Sequence, residues 1–186
     1  RLFPAALVAL ALVLSAVPAR GGICPNAYDR QIRSAAELYL PGIPWRLLKA
    51  QLCAESRLDS SARSAVGAMG VAQFMPATWE EVRKALGYGA VGPTEAGPAI
   101  VAAAYYMAQQ RRRWKFGDLE KHRHGVASYN AGGGNIARAW RLCGEKPRWA
   151  ATVDCLDEIT GRHRVETEGY VRRIFTDYWP RMEAGG

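Results

Sequence analysis

The stretch that most constrains this 186-residue chain runs from Cys53 to Trp79. It reads as a helix ending on Glu55, a polar turn containing Gly67 and Gly70, and a second helix opening at Pro76. Pro44 suits the first position of the earlier helix, where a missing N–H costs no hydrogen bond. After it, Trp45, Leu48, Leu52 and Glu55 recur at helical spacing and fall on one face. Glu55 therefore closes an apolar stripe. A carboxylate set against apolar groups loses hydration, which penalises its charged form and raises its pKa. A general acid working near neutral pH needs that shift. The competing reading is a solvated residue at a helix end. In the turn, the two glycines allow tight backbone geometry, and Ser64 and Gln73 offer uncharged hydrogen bonds. By spacing alone, an ordinary helix–loop–helix connection reads the same.

Elsewhere the pattern is helical. Residues 27–40 read as a first helix ended by Pro41-Gly42, and 44–56 as the helix of Glu55. Residues 57–75 form the turn. Pro76 to Leu86 reads as a helix stopped by Gly87, and 90–98 as a loop rich in Gly and Pro. Residues 99–114 are alanine-rich and helical. Asp118 is placed to cap a helix that ends near Tyr129, and Asn135 starts another to about Leu142. Residues 143–165 read as irregular, and 166–180 as a last helix stopped by Pro180. With no strong strand and no internal repeat, the expected fold class is all-α. Apolar residues make up 49% and charged residues 23%, which fits one globular domain rather than disorder.

The N-terminus has a different character. After Arg1, the run from Ala5 to Val17 carries no charge. It is short for a bilayer span and matches the apolar core of a secretory signal. Val17-Pro18-Ala19 sets small residues where a signal peptidase cuts. The expected organisation is a signal at 1–19 and a mature domain at 20–186, in a periplasmic or secreted protein. An uncleaved anchor is the alternative, and the membrane would then be met only through this segment.

Export favours oxidised cysteines. The four present allow three pairings. Cys143–Cys155 is the preferred pair, flanking a segment with Gly144 and Pro147 that reads as an insertion. Cys24 and Cys53 would tether the N-terminal region to the helix of Glu55; buried free thiols are the alternative. No Cys-x-x-Cys pair exists, and His122, His124 and His163 lack ligand spacing, so neither a metal nor another cofactor is expected. A net charge of +8 attracts polyanions, but no nucleic-acid module is present and no nucleic-acid partner is expected. Arg111-Arg112-Arg113 with Lys115 reads as a solvated helix face.

The residues around Glu55 carry a resemblance. Glu55-Ser56, Ser64, Gly67-Ala68, Gly70, Gln73 and Met75-Pro76 resemble the signature of the soluble lytic transglycosylase (SLT) domain, the family 23 glycosidases of the lysozyme-like superfamily. That family also carries a Tyr-Asn-Ala-Gly segment, matched by Tyr129-Asn130-Ala131-Gly132, and a later Glu-Thr-x-x-Tyr-Val, matched from Glu166 to Val171. Three motifs in order, across roughly residues 40 to 180, are far more specific than one short match. Tyr106 matches a family tyrosine. Ala99 and Ala102-Ala103 depart from the family's Asn and Ala-Gly step, which removes one polar group near the cleft.

The resemblance implies a mainly helical, lysozyme-like domain with a substrate cleft between two helical lobes. It implies glycan strands of peptidoglycan as substrate, cut between N-acetylmuramic acid and N-acetylglucosamine to leave 1,6-anhydro ends. It makes Glu55 the acid and base, and places Ser64, Gln73, Met75, Tyr129, Asn130 and Glu166 at the sugar. For these six, plain turn, core, capping or helix-start roles are the alternatives. A hydrolytic muramidase of goose-lysozyme type and a non-catalytic peptidoglycan-binding domain are the rival functions. Service in a secretion system or another envelope machine is a further possible role.

Overall fold

The structure is a computed structural model that describes residues 23–185. The expected signal segment lies outside the described residues. Helices run in the order α1 (Asp29–Tyr39), α2 (Trp45–Ser56), α3 (Pro76–Ala85), α4 (Ala96–Arg112), α5 (Asp118–Ala131), α6 (Gly133–Leu142), α7 (Trp149–Val153), α8 (Asp157–Thr160) and α9 (His163–Arg172). A π-helical stretch, Arg173–Tyr178, continues α9, and α10 (Trp179–Ala184) follows. Among the described residues the only β pairing is two isolated bridges, Arg63 with Met69 and Met69 with Phe74. The fold is all-α, as the sequence implies.

The chain forms two compact units, divided inside α4 between Tyr106 and Met107 and again at the start of the π-helix. One unit holds α1, α2, α3 and the start of α4, with the π-helix and α10. Its centre is α2, which packs against α1, the π-helix and α10. Leu47, Leu48, Ala50 and Leu52 have no exposure. The apolar stripe is thus real but understates the helix, which is buried nearly all round from Leu47 to Ala54. That burial includes Lys49, whose ammonium sits 2.6 Å from both Asp29 Oδ1 and Asn26 Oδ1. A buried cation needs such partners to offset lost hydration. Pro44 lies one residue earlier than expected, at the N-cap, and its carbonyl accepts from Leu47 N–H.

The other unit, Met107–Arg172, is built on α5, which contacts α6, α7 and α9. Several expectations are corrected here. Residues 143–165 are not irregular throughout: they contain α7, α8 and the start of α9. Arg111 is not on a solvated face. It is 8% exposed and pairs with Asp118 Oδ1 at 3.2 Å. Gly125 makes room for it, since a Cβ there would collide with Met107 and the Arg111 stem. Asp118 is the first helical residue rather than the cap, and its carboxylate serves Arg111. In the first unit, Pro180 does not stop the last helix. It stands in the opening turn of α10, where proline costs no hydrogen bond.

Candidate active site

Glu55 occupies the last turn of α2 and is half-buried. The backbone just beyond it is unusual. Arg57 caps α2 in the left-handed region at φ 59°, and Leu58 repeats that conformation at φ 63°. Consecutive non-glycine residues there cost free energy and persist only where their surroundings impose them, typically around sites. Leu58 is 5% exposed, so burial of its side chain helps to impose it.

The turn is stapled to itself. Ser56 Oγ donates to the Val71 carbonyl at 2.9 Å, tying the end of α2 to the far side of the turn. Ser64 N–H donates to the Ala68 carbonyl, and Ser64 Oγ accepts from Ala68 N–H, each at 2.9 Å. Gly70 N–H donates to the Ala62 carbonyl at 2.9 Å. Gly70 has φ 74°, and a Cβ there would collide with the Pro93 carbonyl, so only glycine fits. Gln73 is also left-handed, at φ 47°, and is 7% exposed. Its amide donates to the carbonyls of Gly70 at 2.9 Å and Ala62 at 3.3 Å. Phe74 then anchors the turn against Trp79 and Tyr106, at ring separations of 5.5 and 6.0 Å. Met75 is half-buried at the N-cap of α3, with Pro76 first inside the helix.

Five residues singled out from sequence therefore lie together on α2 and its turn: Glu55, Ser56, Ser64, Gln73 and Met75. Ser64 and Gln73 commit hydrogen bonds to the turn itself. Asp59, the nearest carboxylate in the chain, is exposed and accepts from Ser61 N–H at 2.8 Å and Ser61 Oγ at 2.7 Å. The Ser61 hydroxyl and amide hold its pKa below the ordinary carboxylate value.

The remaining candidates belong to the Met107–Arg172 unit. Tyr129 and Asn130 are half-buried near the end of α5. Asn130 Oδ1 accepts from Thr167 Oγ at 2.8 Å, which joins the second sequence motif to the third across α5 and α9. The motifs gave no sign of that bond, because they lie 37 residues apart. Glu166, also half-buried, is in the first turn of α9 with His163 Nδ1 at 3.8 Å. Neither the Ser56–Val71 staple nor the left-handed pair at Arg57 and Leu58 has a sequence signal of its own.

Cys143 and Cys155 form a disulfide with Cα atoms 5.8 Å apart, while Cys24 and Cys53 are buried free thiols. Among the described residues, no group of three His, Cys, Asp or Glu could hold a metal ion, and no helix is long and apolar enough to cross a membrane.

The site thus sets a glutamate at the end of a buried helix, with a glycine-dependent turn behind it, on an all-α scaffold. A solved structure, the 70 kDa soluble lytic transglycosylase Slt70 from Escherichia coli, superposes with a TM-score of 0.59 at 23% sequence identity. The match covers 84% of this chain but only 26% of that one, so the chain spans about a quarter of its length. The model of the transglycosylase SLT domain matches residues 33–152, well over half of the sequence, and the chain belongs to that family.

Proposed function

We propose that the protein is a lytic transglycosylase that cuts peptidoglycan glycan strands at the β-1,4 bond between N-acetylmuramic acid and N-acetylglucosamine. The observation that supports it most is Glu55: a half-buried carboxyl on a rigid helix, fixed from behind by left-handed backbone and the Ser56 staple. In this reading protonated Glu55 gives its proton to the bridging oxygen as the C1–O bond breaks. The resulting carboxylate then takes the proton of the muramyl 6-hydroxyl as that oxygen bonds to C1. The bridging oxygen leaves as the 4-hydroxyl of N-acetylglucosamine, the new end is a 1,6-anhydro sugar, and Glu55 is again protonated.

The chemistry suits a site with one assured carboxylate. Ordinary glycosidases use two, one as acid and one as nucleophile or base. Asp59 is exposed and occupied by Ser61, which makes it a poor second. The 6-hydroxyl belongs to the same sugar, so its effective concentration is high once the ring is oriented. Gln73 and Ser64 contribute by holding the turn, and Met75 by lining it. Tyr129, Asn130 and Glu166 are assigned to the sugar by their motifs, and Asn130 Oδ1 also accepts from Thr167. Purified sacculi test the activity. The expected result is release of soluble muropeptides with time. Co-sedimentation without release would instead mark a peptidoglycan-binding domain.

A further inference from the structure

Residues 23–28, which lead into α1, form a strap along one face of α2. Trp45, Lys49 and Cys53 recur every four residues on that face. The strap meets two of them directly: Asn26, with Asp29 at the start of α1, holds Lys49, and the Ile23 carbonyl accepts from Cys53 Sγ at 3.5 Å. Next to Ile23 comes Cys24, so the carbonyl that Cys53 Sγ reaches belongs to the residue bonded directly to Cys24. Both cysteines are buried, at 5% and 1% exposure. The two cysteines are thus buried neighbours, with Cys53 one turn of α2 beyond the Lys49 anchor and two residues before Glu55.

We propose that Cys24 and Cys53 are an oxidisable pair that closes into a second disulfide, fastening the strap to the helix of Glu55. The proposal does not depend on the glycan chemistry. The oxidant is a small-molecule or protein disulfide, such as oxidised glutathione. One cysteine thiolate attacks a sulfur of that disulfide, forming a mixed disulfide and releasing one thiolate. The second cysteine thiolate attacks the protein-side sulfur of the mixed disulfide and releases the other. Two thiol protons pass to the released thiolates; the protein dithiol is oxidised and the external disulfide reduced to two thiols. In the folded protein the Cys24 thiol is held up from its ordinary pKa by Cys53 and by burial, against the opposing charges of Lys49 and Arg57. Closure is therefore slow once the chain has folded and fast while it is folding, since the thiolate is the nucleophile.

The test uses the whole protein, reduced in denaturant and refolded with a mixture of oxidised and reduced glutathione. Free thiols are then alkylated in denaturant and the intact mass is read. The expected result is no alkylation, with a Cys24–Cys53 peptide in a non-reducing digest. The oxidised protein should melt roughly 5–10 °C above the Cys24→Ser/Cys53→Ser variant, since such a bridge restricts the unfolded chain. Folded, reduced protein given the same oxidant should close far more slowly than the refolding chain. Alkylation at Cys24 and Cys53 after refolding, or a bridge from either to Cys143 or Cys155, would overturn the proposal. The mass readout stands whether or not the serine variant folds.

Discussion

Residues 57–75 follow the helix of Glu55, and residues 143–155 follow α6. Both are connections without long helices, and they are ordered by different means. The first contains no covalent link. It is held by backbone: three left-handed non-glycine residues, a glycine no other residue can replace, and donors at Ser56 and Gln73 aimed at carbonyls of the same turn. The second is closed by Cys143–Cys155 and by burial around one histidine. His124 Nδ1 lies 2.9 Å from the Glu120 carbonyl, which can only accept, so Nδ1 carries the proton and Nε2 accepts from Thr152 Oγ1 at 2.8 Å. Trp114 and Phe116 flank that ring at 4.8 Å, and the Glu120 carboxylate accepts from Trp149 N–H at 2.7 Å. The turn beside the proposed acid thus depends on geometry at single residues, whereas the bridged segment depends on redox state and on a neutral histidine. Point changes should damage the first most; reduction and acid should damage the second.

The largest effect belongs to Glu55→Gln. It should lower the rate of muropeptide release by about 10²- to 10⁴-fold or more, because the amide has no proton to transfer. Since the shape is kept, melting temperature should stay within about 2 °C. Substantial release by this variant would remove Glu55 from its proposed role. Next comes Gly70→Ala, which meets both the Pro93 carbonyl and a φ of 74°. It should destabilise the fold by more than about 2 kcal/mol and lower activity. Gly67→Ala, in open space at φ 90°, should cost only about 1 kcal/mol. Equal losses in the two variants, measured by denaturant unfolding, would mean that left-handed strain alone sets the cost.

The bridged segment should show the opposite profile. Cys143→Ser with Cys155→Ser opens a short loop and should remove about 3 kcal/mol of stability. Turnover below the melting transition should change little, because Glu55 and its turn contain neither cysteine. A collapse of activity in a still-folded variant would erase the contrast between the two connections.

Much of the first region is legible in the sequence because its determinants are local. Pro44, the apolar spacing to Glu55, the glycines and Pro76 each act within a turn or two of themselves. The second region is not, because its determinants are contacts. Arg111 sits in a run of basic residues, and only Gly125 and Asp118 make it a buried ion pair. The short helices α7 and α8 lack a long periodic stripe and exist against α6, with α7 also meeting α5 and α8 meeting α9. Pro180 reads as a stop because the sequence does not announce the π-helical stretch that lets a new helix begin there. In the candidate site the residue types are legible, but their use is not. Ser64 and Gln73 spend hydrogen bonds on the turn, and Asn130 spends one on Thr167.

A smaller effect concerns acid. His122, buried beside α4, has its pKa pushed down to about 3, first by burial and then by Arg111. Burial also lowers His124. Above the ordinary histidine value of about 6.5, neither the folded nor the unfolded chain carries the proton. As pH falls from there toward 3, the unfolded chain binds it and the folded chain does not, so stability declines with falling pH. Melting temperature should drop between neutral pH and pH near 5, and His122→Gln should flatten part of that slope. A slope unchanged in the variant would assign the decline to other groups.

In the proposed mechanism one carboxylate on a rigid helix suffices because the substrate supplies its own nucleophile. The most direct test is to digest sacculi with the protein and treat half of the fragments with borohydride. Anhydro ends cannot be reduced, whereas hydrolytic ends gain two hydrogens. Most new ends should resist reduction and be lighter by one water than hydrolytic ends. If most new ends gain hydrogen, water is the nucleophile and the protein is a hydrolase.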